Sequence, residues 1–175
     1  MTAFPDGRLK HSFVGAAVGT VMTWGGFALA WPVVPVPALS DQPADRLVYA
    51  CGLLAVPAAL VAVMVMAVAL SRLVTGAVDP LTDPEHRIQR INQRVLSNTV
   101  EQTAIFVPAL LALASRIDME FTAALPLLTG LFILSRLIFW AGYLIDPLYR
   151  ATGMIMTLNV NVGILLIALM KLATV

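Results

Sequence analysis

The stretch RIQRINQRVLSNTVEQ, residues 87–102, carries Arg87, Arg90, Arg94 and Glu101 directly into IFVPALLALA, which has no charge at all. On a helix turning about 100° per residue, Arg87, Arg90, Arg94, Asn98 and Glu101 fall within a sector of about 80° and stack over about 21 Å. Downstream, Arg136, Tyr143 and Arg150 recur at intervals of seven. That spacing holds polar groups to one helical stripe with a drift of only about 20° per step. Guanidiniums outnumber the carboxylate, so the chemistry within reach is capture of an anion, for which the planar arginine fork suits carboxylates.

These residues sit in a strongly apolar chain. Of its 175 residues 59% are hydrophobic and 12% charged, with a mean hydropathy of +0.88. A soluble domain carries roughly twice that charge. The net charge of +1 offers no nucleic-acid surface. The single cysteine, Cys51, has no partner for an intrachain disulfide and reads as a small hydrophobe.

Five segments approach the roughly 20 apolar residues that a bilayer requires. Residues 12–40 are uncharged, with Pro32, Pro35 and Pro37 ending their helix near Trp31. Residues 47–71 form a second uncharged run. The third helix is expected to start near Pro84 and Glu85, which suit a first turn, and to reach Ser115. The fourth spans about 121–146 and the fifth 151–170, with Pro147 ending or bending the fourth. Arg8 and Lys10 before an apolar run imitate a signal peptide, but the run exceeds a usual signal core, so it is read as a true span.

Basic residues set the orientation. With a cytoplasmic N-terminus, Arg8, Lys10, Arg72, Arg87, Arg90, Arg94 and Arg150 lie at that side. Arg46, Arg116 and Lys171 lie outside, together with the C-terminus, and Arg136 is left within a span. Polar stripes on membrane helices must then face each other or water rather than lipid. Two plainer accounts stand beside a ligand site. Arg87 and Arg90 can be anchors that snorkel to headgroups, and Glu101 with Arg136 can be a structural ion pair inside the bundle.

Arg94-x-x-x-Asn98-x-x-Glu101 before an apolar run, then Arg136 with FWAGY at 139–143 and Arg150-Ala151-x-Gly153, resembles the MAPEG family, the membrane-associated proteins in eicosanoid and glutathione metabolism. The wording NTVEQ at 98–102 is most similar to the family's bacterial branch, and the resemblance covers about residues 47–174. It implies an all-α integral membrane protein: a four-helix transmembrane bundle over residues 47–175, assembled as a homotrimer, preceded in residues 1–46 by one extra transmembrane helix. It also implies a bacterial inner membrane and glutathione bound between subunits near the cytoplasmic face.

On that resemblance Arg94, Arg150 and Arg72 are expected to hold the ligand's carboxylates, with Arg90 and Arg136 as further ligand-binding residues. Glu101 would take its ammonium and Asn98 its peptide groups. Tyr143 would be a further binding residue, and Arg150, beside the thiol, would be catalytic. Leu96, Gln102 and Phe139 depart from the pattern, because well-studied glutathione-binding members carry a polar or aromatic residue and two tyrosines there.

Three functions follow as expectations. The first is a glutathione-dependent transferase or peroxidase acting on lipophilic electrophiles or lipid hydroperoxides. The second is a non-catalytic trimer that binds membrane lipids, since the family includes a member that presents a fatty acid, and the three departures favour it. The third is a small transporter with Glu101 as its proton-carrying acid, against which the neighbouring arginines argue by keeping Glu101 ionised. His11 and His86 are isolated, and Ser97 and Ser135 have no histidine nearby to act as base, so neither a metal site nor a serine nucleophile is expected.

Overall fold

Helix α1 runs over Asp6–Ala30 and stops where Pro32, Pro35 and Pro37 make helix impossible. The computed structural model describes residues 6–76, 79 and 83–173, with side chains from residue 12 onward. The side chains of Arg8, Lys10 and His11, and the position of the C-terminal Val175, lie outside the described residues.

Helix α2 covers Pro43–Leu53, with proline in its first turn beside Asp45. Helix α3 covers Ala55–Thr75. The uncharged run that reads as one continuous helix is interrupted at Leu54, and Pro57 explains why. Proline lacks the N–H that would bond the Leu53 carbonyl, and its ring crowds that same oxygen. The two pieces still make one span, Pro43–Thr75. Gly76 closes α3 in the left-handed conformation (φ 71°), which glycine adopts without a steric penalty.

Helix α4 covers Arg87–Ala114. It begins after Pro84 and Glu85, because His86 at the N-cap is extended. A 3-10 turn over Met119–Phe121 leads into α5, Ala124–Ile145, so this span's helix starts three residues later than its apolar composition implies. Helix α6 covers Arg150–Ala173. Among the described residues five helical stretches, counting α2 with α3, are long and apolar enough to cross a membrane.

Hydrogen bonds fix the register. Asn92 Oδ1 accepts from Trp140 Nε1 at 3.0 Å, tying the start of α4 to the end of α5. Asn161 Nδ2 donates to Gln102 Oε1 at 2.9 Å, which sets α6 parallel to α4. Lys171 donates to Asp118 at 2.6 Å and holds that carboxyl below its ordinary range, pinning the end of α6 to the turn before α5. At the same end Arg46 is buried and its Nε donates to the Ala114 carbonyl at 3.3 Å, satisfying the last turn of α4. The core between α4, α5 and α6 is built on Phe106 stacked on Phe132, with Leu110, Leu125 and Ile164 around them.

Helix α1 lies along α6 in parallel. A Cβ on Gly19 would stand 2.5 Å from the Thr152 carbonyl oxygen, and one on Gly15 would stand 3.1 Å from Ala151 Cβ. Two glycines four apart thus let the backbones approach closely. Gly19→Ala is expected to lower the thermal stability of the detergent-solubilised protein by roughly 1–3 kcal/mol. Gly25→Ala, where a Cβ meets nothing within 4 Å, should be neutral or slightly stabilising. Equal melting of the two variants would rule out this packing.

Candidate active site

The polar stripe of α4 faces the junction of α5 and α6 across an open cleft of about 390 Å³. Gln93, Arg94, Ser97, Asn98 and Glu101 line one wall, and Phe139, Tyr143, Arg150 and Met154 the other. Five of the residues singled out from the sequence, Arg94, Asn98, Glu101, Tyr143 and Arg150, therefore share one cavity.

Arg150 reaches it by a route the seven-residue spacing does not describe. It is not on the stripe of α5, because α5 ends at Ile145 and Asp146 is extended (φ −150°, ψ 137°), the conformation favoured for a residue preceding proline. Asp146 Oδ1 accepts from the Leu148 N–H at 2.8 Å, closing a turn, and Arg150 opens α6. The reversal is tight: a Cβ on Gly142 would lie 2.7 Å from the Tyr149 carbonyl oxygen, and one on Gly153 2.3 Å from the Phe139 nitrogen. These two glycines allow α6 to fold back on α5. Arg150 Nη1 then donates to Tyr143 Oη at 2.6 Å, with its guanidinium 4.8 Å from the ring centroid.

Arg136 does not line the cleft and does not pair with Glu101. Its side chain has no exposed surface. Its Nη2 donates to Asn98 Oδ1 at 3.0 Å and to Thr99 Oγ1 at 3.0 Å, Nε also reaches Thr99 at 3.2 Å, and Nη1 donates to Thr157 Oγ1 at 3.2 Å. The guanidinium lies 4.2 Å over the Phe139 ring. Helical geometry explains the miss: from Asn98, Thr99 is about 100° in one direction and Glu101 about 60° in the other. An arginine that bonds Asn98 and Thr99 together must approach on the side away from Glu101. Glu101 is exposed at the cleft, with Asn98 Nδ2 at 3.4 Å from its carboxylate.

Arg90 and Arg72 also stand outside the cleft of a single chain. Arg90 is exposed on the first turn of α4. Arg72 is half-buried near the end of α3, and its buried Nε has no hydrogen-bond partner. Arg87 donates to the Leu144 carbonyl at 3.2 Å, at the C-terminal end of α5. Thr99 and Thr157 are the residues that sequence reasoning passed over. Their signal was weak: Thr99 is hidden among the polar residues of its own stretch and Thr157 stands in a largely apolar helix, with nothing in the sequence to turn either toward a lone intramembrane arginine.

The sequence model of the MAPEG family matches residues 47–170, well over half of the chain. The chain belongs to the MAPEG family. The matched region takes in α3, α4, α5 and nearly all of α6, while α1 falls outside it. The protein is thus an all-helical integral membrane protein of this family, with one membrane-length helix beyond the four of the matched bundle. Among curated proteins it is similar to Transmembrane protein 79 of Bos taurus, 28% identical over 80% of this chain and 35% of that protein. It is also similar to Transmembrane protein 79 of Mus musculus, 28% identical over 75% of this chain and 33% of that protein. The chain spans about a third of the length of these relatives.

The geometry separates Arg136 from Glu101 in their effects. Arg136→Leu strips the partner from two buried hydroxyls and one amide and is expected to lower thermal stability by roughly 1–3 kcal/mol. Glu101→Gln should melt like the unaltered protein. A matching loss in both variants would restore the ion pair that the structure lacks.

Proposed function

We propose that this MAPEG chain is a glutathione-dependent transferase that joins the tripeptide's thiol to lipophilic electrophiles arriving from the membrane. The observation that carries this reading is Arg150, clamped to Tyr143 on the rim of a cleft that also presents Arg94, Asn98 and Glu101. Two guanidiniums, a carboxylate and an amide match a ligand bearing carboxylates, an ammonium and peptide groups. The open side of the cleft suits a site completed by a neighbouring subunit of a homotrimer, from which Arg72 and Arg90 would contribute charge.

Catalysis on this reading is stabilisation of the thiolate. A thiol near its ordinary pKa of about 8.5 is only a few per cent ionised at neutral pH. A guanidinium within hydrogen-bond reach favours the anion, and cationic neighbours bring thiol pKa values to about 7.5 or below. The thiol proton leaves to solvent, and the sulfur lone pair forms the new bond to the electrophilic carbon. The displaced electron pair leaves with the departing group, or moves onto the unsaturated acceptor, which then takes a proton. With a lipid hydroperoxide the same thiolate would attack the terminal oxygen and break the O–O bond, the lipid leaving as its alcohol after taking a proton. A second glutathione would then reduce the resulting sulfenic acid, giving the disulfide and water.

A non-catalytic lipid-binding trimer is the second reading, and two observations favour it. Gln102 is buried against Asn161 and offers nothing to the cleft. Phe139 gives the cleft only its ring, which already lies beneath Arg136.

Ultraviolet difference absorbance on adding glutathione to purified protein distinguishes the two. The unaltered protein should show thiolate at neutral pH, and Arg150→Ala should abolish that signal and lower conjugation by about 100-fold, as loss of a key charge-stabilising donor does elsewhere. Arg150→Lys should recover part, because a point charge lacks the planar fork. Absence of thiolate in the unaltered protein, or its persistence in Arg150→Ala, would leave the lipid-binding account standing.

A further inference from the structure

Helix α1 touches α6 closely only at one end. Around Gly15 and Gly19 the backbones are nearly in contact, whereas a Cβ on Gly163, further along α6, would meet just the outer edge of the Trp24 ring at 3.5 Å. Between the splayed ends lies a cavity of about 380 Å³ enclosed by α1, α4, α5 and α6. Its walls are Trp24, Phe27, Leu131, Val160 and Ile164, with Trp31 and Phe121 toward the mouth. The polar groups at its inner end are engaged within the protein. Thr23 donates to the Gly19 carbonyl at 2.9 Å, and Asn159 donates to Thr20 at 3.2 Å.

Such a space does not suit water, which needs several polar partners, and large apolar cavities take apolar guests. Its volume lies in the range of small-molecule sites. The mouth has the character of a membrane interface. Trp31 packs near Phe121, with ring centroids 6.2 Å apart, and the ion pair of Lys171 with Asp118 stands at the rim, its side chains 37% and 58% exposed. Adjacent positive and negative groups at that level complement a zwitterionic head.

We infer that this cavity holds one acyl chain of a bilayer phospholipid, with the zwitterionic headgroup beside the Asp118–Lys171 pair. The site is distinct from the polar cleft. Along α6, Asn159 at its inner end lies about 14 Å beyond Arg150, and the mouth opens toward the opposite end of the bundle. The chain it holds is therefore a bound lipid rather than the reacting molecule, and the inference stands whether or not glutathione binds.

The test is retention of phosphatidylcholine by detergent-purified protein in native mass spectra, under activation that strips loosely associated lipid. The unaltered protein should keep one lipid per chain. Gly163→Leu projects into the cavity beside Trp24, and excluding even about two methylenes should weaken retention about tenfold. Gly130→Leu is the control, because a Cβ on Gly130 meets nothing within 4 Å, and it should retain lipid as the unaltered protein does. If Gly163→Leu fails to fold, Leu128→Trp narrows the same cavity from α5 and should show the same loss. Three results would each overturn the assignment: no lipid retained by the unaltered protein, full retention by the cavity-filling variant, or equal loss in the control.

Discussion

A guanidinium with no exposed surface, placed midway along a membrane helix, is the constraint around which the bundle is arranged. Lipid offers Arg136 nothing, so its donors must find acceptors inside the protein. They find them on two other helices at once: Asn98 and Thr99 of α4, and Thr157 of α6. Thr157 is held in turn, donating to the Gly153 carbonyl at 2.8 Å and lying 2.8 Å from Ser135 Oγ. One side chain thereby locks the rotation and height of three helices. A slip of either partner helix by a single residue would leave buried donors unsatisfied, at a cost of about 1–3 kcal/mol each.

The same interaction orients the cleft. Asn98 is held through its oxygen by Arg136, so its amide nitrogen is turned toward Glu101. The Phe139 ring is fixed beneath the guanidinium and edge-on to Tyr143, with centroids 5.8 Å apart, and Tyr143 in turn holds Arg150. A buried cation that touches no ligand thus positions both walls of a site that would bind one. Its place as a positioning residue follows from burial, and its charge is balanced by hydroxyl and amide dipoles rather than by a carboxylate.

Most of the architecture was legible because membrane helices announce themselves by length and apolarity. All five spans appear where long apolar runs stand, two of them, α4 and α5, carrying charges well within the helix, and the prolines at 32, 57 and 147 account for where helices stop or break. Ends defined by backbone conformation were less legible: nothing in His86 or the Met119–Phe121 turn marks its conformation by residue type. Within the site, Arg94, Asn98 and Glu101 were readable because they share a helix face, a local property. Arg136 was misassigned because choosing its partner requires the rotation of one helix against another. Opposite charge made Glu101 the obvious partner, yet two threonines lay in the right direction. Arg150 lies beside Tyr143, but chain reversal at Asp146–Pro147, not the continuous stripe that the spacing suggested, brings it there.

Helix α1 lies outside the matched family region, yet it bears on both ends of the bundle. Its close contact falls on Ala151, Thr152 and Ile155, the turn of α6 that immediately follows Arg150. Gly153 on that same turn packs against the α5 backbone. The helix that carries Arg150 is therefore held between α5 on one side and α1 on the other, where a bundle without α1 would leave that face to lipid. Straight helices that touch at one end diverge along their length, so the contact that braces Arg150 also opens the apolar space near Trp24 and Trp31. Filling that space with side chains would have required a larger residue than Gly163 on α6. Its small size helps leave the wedge open, and a single geometric choice, glycine at 15 and 19, links the polar end of the molecule to the apolar one.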